Sequence, residues 1–358
     1  MSVVDMVVVG GGQAGLATAG VASARGLSAV VLDASPGPGG SWPRYYDSLT
    51  LFSPARFSSL PGLPFPGDPE RYPVRDEVVA YLGAYANRVD ADVRWGRRVE
   101  RVARVGDGFE VAATDGTLLR ARTVVAASGG FGRPYRPELP GLETFTGRVL
   151  HSADYREPSP LRGARVVVVG GGNSAVQIGV ELAQVARVSL ATRGRLRWQA
   201  QRILGRDFHW WLTRTGLDSS RLGPRLVKGT VPVIDDGGYR AAVRAGQPDH
   251  RPMFTRLDGD SVVWADGARE RVDLLILATV PARPGVSGRY AGGGRAGPAA
   301  APPGCVDGGA GAGVRRAGAP AQLRFRHAAG RGPGCRLRPG KPVPMIHTAR
   351  RVDLLDHA

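Results

Sequence analysis

Apolar residues fall along this chain in short, nearly unbroken runs. Val3–Val9 reads VVDMVVV, Thr123–Ala127 reads TVVAA, Ala164–Val169 reads ARVVVV and Leu274–Thr279 reads LLILAT. A run that is apolar at successive positions buries both faces, as strands do in a parallel sheet covered by helices. Ser28–Leu32 and Arg187–Ala191 read as further strands. Small-residue stretches at Ala14–Arg25 and from Gly172 to about Gln184, together with Arg75–Asn87, read as helices. Val93–Val99, Gly108–Thr114 and Leu118–Ala121 predict short antiparallel strands. Pro252–Leu257, Ser261–Trp264 and Arg271–Val272 predict three more, around the turns Asp258-Gly259 and Asp266-Gly267, after a short helix at Arg240–Ala245. Arg197–Leu217 reads as a basic, aromatic helical insert. Within it Trp210-Trp211 is assigned to packing, and His209, with no acid read near it, is assigned no role. The alternation predicts an α/β fold with two Rossmann-like dinucleotide-binding domains.

Two of the buried runs end in glycine turns. The first is followed by Gly10-x-Gly12-x-x-Gly15. Gly10 permits the tight turn, Gly12 lets a pyrophosphate approach the backbone, and Gly15 lets helix and strand pack closely. The helix start offers free N–H groups to an anion. Asp33, ending the next strand, stands where a carboxylate accepts hydrogen bonds from an adenosine ribose. The second run enters Gly170-x-Gly172-x-x-Ala175, with Asn173 and Ser174 expected to cap the helix and donate to a phosphate. Where an NAD site carries an acid, the chain has Thr192-Arg193-Gly194-Arg195. A carboxylate there repels a 2′-phosphate, whereas a guanidinium binds it, so Arg193 points to NADPH.

Between the turns lies Phe145–Tyr155, FTGRVLHSADY, which meets the pattern F-x-G-x-x-x-H-x-x-x-Y at Phe145, Gly147, His151 and Tyr155. Over residues 3–279 the chain resembles the class B flavin-containing monooxygenases, with their Baeyer–Villiger and N-hydroxylating relatives. Gly39, Gly40 and Trp42 resemble the family's second glycine motif beside FAD, and Tyr46–Pro66 its loop beneath the flavin. Many relatives carry an asparagine in that region; none lies between Trp42 and Asn87, and Ser53 is the polar substitute considered. Ser128 replaces a threonine in the turn after the TVVAA strand.

The resemblance implies an NADPH domain inserted into an FAD domain: residues 1–157 for the first part of the FAD domain, 158–272 for the NADPH domain, and 273–279 as the strand returning to the FAD domain. It implies an enzyme in which NADPH reduces FAD and one oxygen of dioxygen passes, by way of a flavin peroxide, to a small organic substrate. His151 and Tyr155 then couple the two cofactors; no side chain is assigned as acid or base, so catalytic residues stay unknown. The alternatives are an inactive nucleotide-binding remnant and a flavin-dependent pyridine-nucleotide oxidoreductase without oxygenation. The absence of C-x-x-C argues against the disulfide-reducing type.

Composition changes this picture little. The net charge of +17 divides unevenly: Val280–Ala358 holds 13 Lys+Arg against 3 Asp+Glu, and only two residues of the whole chain are lysine. Arginine, alanine, glycine and proline abundance reflects GC-rich codons, so nucleic acid is not read as a partner. Apolar runs are too short for a membrane span, which needs about 18 residues. With no signal-like segment at the start and only Cys305 and Cys335, a cytoplasmic location is expected, with no metal site. Oligomeric state and the particular substrate are not legible.

After Thr279 the resemblance stops in a Gly/Ala/Pro/Arg tract with no apolar period, expected to be irregular. Written in GC-rich codons and read one base over, Val280–Ala291 spells YRPGLGYLAGT, and Cys305–Arg336 can likewise spell a strand, glycine turn and helix of the family's C-terminus. A frameshift near codon 280 is the expected cause, in the gene or in its reading, and the two cysteines are then accidents of frame.

Overall fold

The computed structural model describes residues 3–132, 134–217 and 232–280. The tail, its two cysteines and the expectation of irregularity there lie outside the described residues. Two sheets, one mixed and one parallel, each built on one of the valine-rich runs, organise the rest.

The first sheet has the order β3-β2-β1-β6-β5-β4. Its strands are β1 (Val3–Val9), β2 (Ala29–Leu32), β3 (Asp92–Arg94), β4 (Val99–Val105), β5 (Gly108–Ala113) and β6 (Leu118–Ala126). Helix α1 (Gln13–Ser23) follows β1, and α2 (Arg75–Arg88) precedes β3. Strands β3, β2, β1 and β6 run parallel, while β4, β5 and the start of β6 form an antiparallel meander. The sequence split β6 in two. It is one nine-residue strand, antiparallel to β5 over Leu118–Ala121 and parallel to β1 as far as Ala126. The predicted antiparallel strand Val93–Val99 also needs correction. Asp92–Arg94 joins β2 in parallel, Gly96 turns the chain at φ +69, and β4 starts at Val99.

The second sheet is wholly parallel. It contains β7 (Arg148–His151), β8 (Arg165–Val169), β9 (Arg187–Thr192) and the strands Asp249–Pro252 and Leu274–Leu277. From one edge the order is Asp249–Pro252, β9, β8, Leu274–Leu277, β7. Helix α3 (Asn173–Leu182) crosses from β8 to β9 and buries Val176, Ile178 and Leu182 against Val166, Val168, Leu190 and Ile276. Leu274–Leu277, expected to return to the first domain, instead pairs with β8 and β7 inside the second sheet. An all-apolar run reads alike for either sheet, and four fully buried side chains between two parallel neighbours place it here.

The helical insert is the other correction. Residues 198–207 form short extended pieces, and only Phe208–Thr215, α4, is helical. Its N-cap is Asp207, whose Oδ1 accepts the His209 N–H at 2.7 Å. The same oxygen lies 2.9 Å from His209 Nδ1, so His209 does have an acid beside it, two residues upstream. Asp207 Oδ2 also accepts from Tyr72 O–H and from Gln201 Nε2, each at 2.7 Å.

Candidate functional site

Ligands of doubly wound folds bind beyond the carboxyl ends of the parallel strands. Both glycine turns stand at such ends, and the two are built alike. In the first, Gly10 has φ +109, and a Cβ there would lie 2.3 Å from Ala127 O. A Cβ on Gly15 would lie 1.8 Å from Gly10 O, so α1 could not start where it does with any other residue. Gly12 has open backbone apart from Gly40, whose Cα would stand 3.8 Å from a Cβ. A Cβ on Gly40 would in turn lie 2.8 Å from Gly12 Cα. The second glycine motif is thus folded onto the first, and Trp42 Nε1 donates to Gln13 Oε1 at 2.7 Å. Gly39 (φ +109) packs on Pro43, and Trp42, Tyr45 and Phe131 form a chain of tilted rings with centroids 5.4 and 4.6 Å apart.

Asp33 is buried. Its Oδ2 accepts the Gly11 N–H and its Oδ1 the Ser35 N–H at 2.6 Å. Two amide donors orient the carboxylate beside Gly11 and leave it lone pairs for hydroxyl donors. The glycine cradle, the helix start and the oriented acid fit an adenine dinucleotide: bare N–H groups for the pyrophosphate, an acceptor for the ribose.

In the second turn Gly170 has φ +146, and a Cβ would lie 2.4 Å from Ala278 O. Gly172 has nothing within 4 Å of its Cβ position, leaving space for a phosphate. The sheet registers make the two sites superposable in sequence. Val9 pairs with Leu32, before Asp33; Val169 pairs with Ala191, before Thr192. Thr192 therefore holds the place of Asp33, and Arg193, exposed, is the next residue. The expected cap is corrected: Gly172 is the N-cap, with no side-chain bond. Asn173 begins the helix, and its Oδ1 accepts the Ile234 N–H at 2.9 Å, which ties α3 to the strand after the insert. That leaves its amide N–H pair and the Ser174 hydroxyl as donors at the helix start.

The linker residues lie with the second sheet. Phe145 packs over Gly147, where a Cβ would lie 2.4 Å from the ring. His151 ends β7 and is buried; its Nδ1 accepts the Ala153 N–H at 3.1 Å, so Nε2–H donates to Thr279 O at 3.1 Å. Tyr155, also buried, donates to Glu181 Oε2 on α3 at 2.8 Å. Burial first, then that carboxylate, pushes its phenol well above the ordinary range. Beside it Tyr46 O–H donates to Gln177 Oε1, joining the loop after Trp42 to the same helix. The sequence names Tyr46 only as the start of its loop and does not name Gln177, since their pairing spans distant segments. Ser53 is spent locally, its Oγ 2.9 Å from Ser58 Oγ. Among the described residues no group of three or more acids, histidines or cysteines could hold a metal, and no helix is long and apolar enough to cross a membrane.

Residues 7–207 match the family model described as pyridine nucleotide-disulphide oxidoreductase. A flavin-containing monooxygenase from Stenotrophomonas maltophilia is 38% identical, with 78% of this chain and 79% of that one covered at a TM-score of 0.68. An uncharacterized CzcO-like oxidoreductase from Geobacillus kaustophilus is 32% identical over 77% of this chain and 80% of its own length. The rice indole-3-pyruvate monooxygenase YUCCA1 is 33% identical, covering 76% of this chain and 75% of its own. The chain belongs to the class B flavin-containing monooxygenases. It is by family a flavin-dependent enzyme that also uses a pyridine nucleotide, acting by oxygen insertion on small molecules.

Proposed function

We propose that the first turn binds FAD, the second binds NADPH, and the chain is built to oxygenate a small organic substrate with dioxygen. The observation that carries the assignment is the exchange of Asp33 for Thr192-Arg193 at matching places in two otherwise alike turns. On this reading Gly10, Gly12 and Gly15 admit the FAD pyrophosphate, Asp33 takes the ribose hydroxyls, and Gly39, Gly40 and Trp42 close over the same strand end. Gly170, Gly172, Asn173 and Ser174 receive the NADPH pyrophosphate, and Arg193 the 2′-phosphate. The bound cofactors supply hydride transfer and oxygen activation; the chain orients them and excludes water. Phe145–Tyr155 couples the two sites, as the bond from His151 to Thr279 O supports, because Ala278 just before it packs on Gly170. Residues 1–157, apart from the linker strand Arg148–His151 that lies in the second sheet, and residues 158–272 divide between the two cofactors, and a cytoplasmic location belongs to the same reading. The substrate class of this reading is a soft nucleophile or a ketone, and the name of the indole-3-pyruvate monooxygenase supports the ketone.

Arg193→Ala tests the assignment. With the frame after Thr279 restored, flavin reduction by NADPH should slow at limiting nucleotide, with the KM rising about tenfold, the loss of roughly one charge-assisted hydrogen bond. NADH should be unaffected. Equal loss for both nucleotides overturns it.

A further inference from the structure

The second turn carries a hydroxyl–imidazole pair that the cofactor assignment leaves unused. We propose that Thr192 and His250 are positioning residues for nucleotide selectivity, holding the 192–195 turn so that its guanidinium meets a 2′-phosphate. The inference rests on the NADPH reading of Arg193.

Thr192 is buried at the end of β9, with its methyl group facing Gly171, where a Cβ would lie 3.6 Å from it. Its Oγ1 donates to Gly194 O at 2.7 Å, which closes the turn that carries Arg193 and Arg195. A hydroxyl has one proton, and this bond uses it. Oγ1 must therefore accept at its second contact, His250 Nε2 at 2.7 Å. That fixes the imidazole as the Nε2–H tautomer, with Nδ1 bare. His250 lies on the strand Asp249–Pro252, which runs parallel to β9 with Pro252 opposite Thr192. The Met253 N–H donates to Thr192 O at 2.9 Å, so both ends of the threonine are held from this strand. Burial lowers the affinity of His250 for a second proton, while Asp249 beside it acts the other way; the net is a neutral ring at pH 7.

The arrangement works by contrast with the first turn. There a carboxylate next to Gly11 accepts from a ribose and would repel a phosphate. Here the side chain next to Gly171 is neutral, its only proton is directed into the turn, and Arg193 and Arg195 of that turn are exposed. Fixing the turn before binding reduces the ordering cost that two long side chains would otherwise bring to the complex.

The test uses calorimetry on the full chain with two probes, adenosine 2′,5′-bisphosphate and adenosine 5′-monophosphate. Thr192→Val keeps the shape and removes the hydroxyl, His250→Ala removes the donor, and His250→Gln retains an N–H. Thr192→Val and His250→Ala should each weaken the bisphosphate about three- to tenfold, the size of one hydrogen bond, and spare the monophosphate. The double variant should lose no more than either single one, and His250→Gln should stay near the parent. Equal weakening of both probes reduces the pair to a structural role and overturns the proposal, as does unchanged preference in Thr192→Val. Arg193→Ala separates the premises. If it leaves the preference intact, the NADPH reading fails; if it abolishes the preference while Thr192→Val and His250→Ala keep it, this inference alone fails.

Discussion

One buried carboxylate, Asp207, joins three stretches of the chain. It caps α4, receives Tyr72 from the loop before α2, and receives Gln201, whose Nε2 also donates to Phe52 O. Phe52 and Phe57 flank the His209 ring it orients, with centroids 6.0 and 6.3 Å away. Burial opposes the charge on Asp207, but donors from His209, Tyr72 and Gln201 outweigh it and hold the carboxyl below its ordinary range. The same bond, after burial, pushes the Tyr72 phenol up to about 12. Removing a charged acceptor that satisfies several buried donors costs about 2–4 kcal/mol. Asp207→Ala should lose that much in urea unfolding at pH 7. Because the folded carboxyl titrates lower than the unfolded one, its contribution is full above about pH 4 and fades as pH falls through the folded value. The difference between parent and variant should therefore shrink only in strong acid; a gap that closes near neutrality would reject this role for Asp207. The capping acid was legible in principle, as an aspartate one residue before an aromatic helix. Asp207 stands two residues before His209, and a helix running through both would turn them to different faces, whereas the extended backbone at Asp207 brings them together.

Elements were legible where burial is two-sided and opaque where long-range pairing decides. The Rossmann units announce themselves because β1 and β8 are valine-rich and flow into glycine turns that steric contact makes obligatory, as with Gly15 against Gly10 O. The sheet that owns Leu274–Leu277 is not written in those four residues; it follows from register with Val166–Val169 on one side and Arg148–His151 on the other. That register gives the linker motif its physical content. His151 bonds the end of β7 to the chain just past Leu274–Leu277, and Ala278 there packs on Gly170. Replacing His151 by alanine frees Thr279 O and the Ala153 N–H together. With the frame restored, His151→Ala should retain FAD yet consume NADPH with release of hydrogen peroxide instead of product. The ratio of peroxide formed to NADPH oxidised measures this, and an unchanged ratio rejects the coupling role.

At the scale of the whole molecule, the two sheets differ in how the strand beside the glycine-turn strand is flanked. In the second, Leu274–Leu277 is flanked on both sides, by β8 and by β7, and is fully buried. In the first, β6 holds the corresponding place beside β1, but β5 pairs only with its first four residues, Leu118–Ala121. Among the described residues nothing pairs with Thr123–Ala126 on the side away from β1, and Val124–Ala126 are only half-buried. An apolar parallel strand open on one side is an edge that a further strand would satisfy. The sequence after Thr279 cannot be expected to supply it. Its glycines and prolines raise the entropy cost of ordering, and its large apolar residues are too few to offset it. The same stretch, written in chosen codons and read one base over, can spell such a strand and a glycine turn. On that reading we propose a shift of frame near codon 280. The chain as written should then bind FAD weakly and oxygenate little, whereas the frame-restored protein should purify yellow with near-stoichiometric flavin. Absorbance of bound flavin after gel filtration of the two proteins decides it. Full occupancy in the chain as written would reject the frameshift, and the edge of β6 would have to be closed by residues 280–358 in their present order.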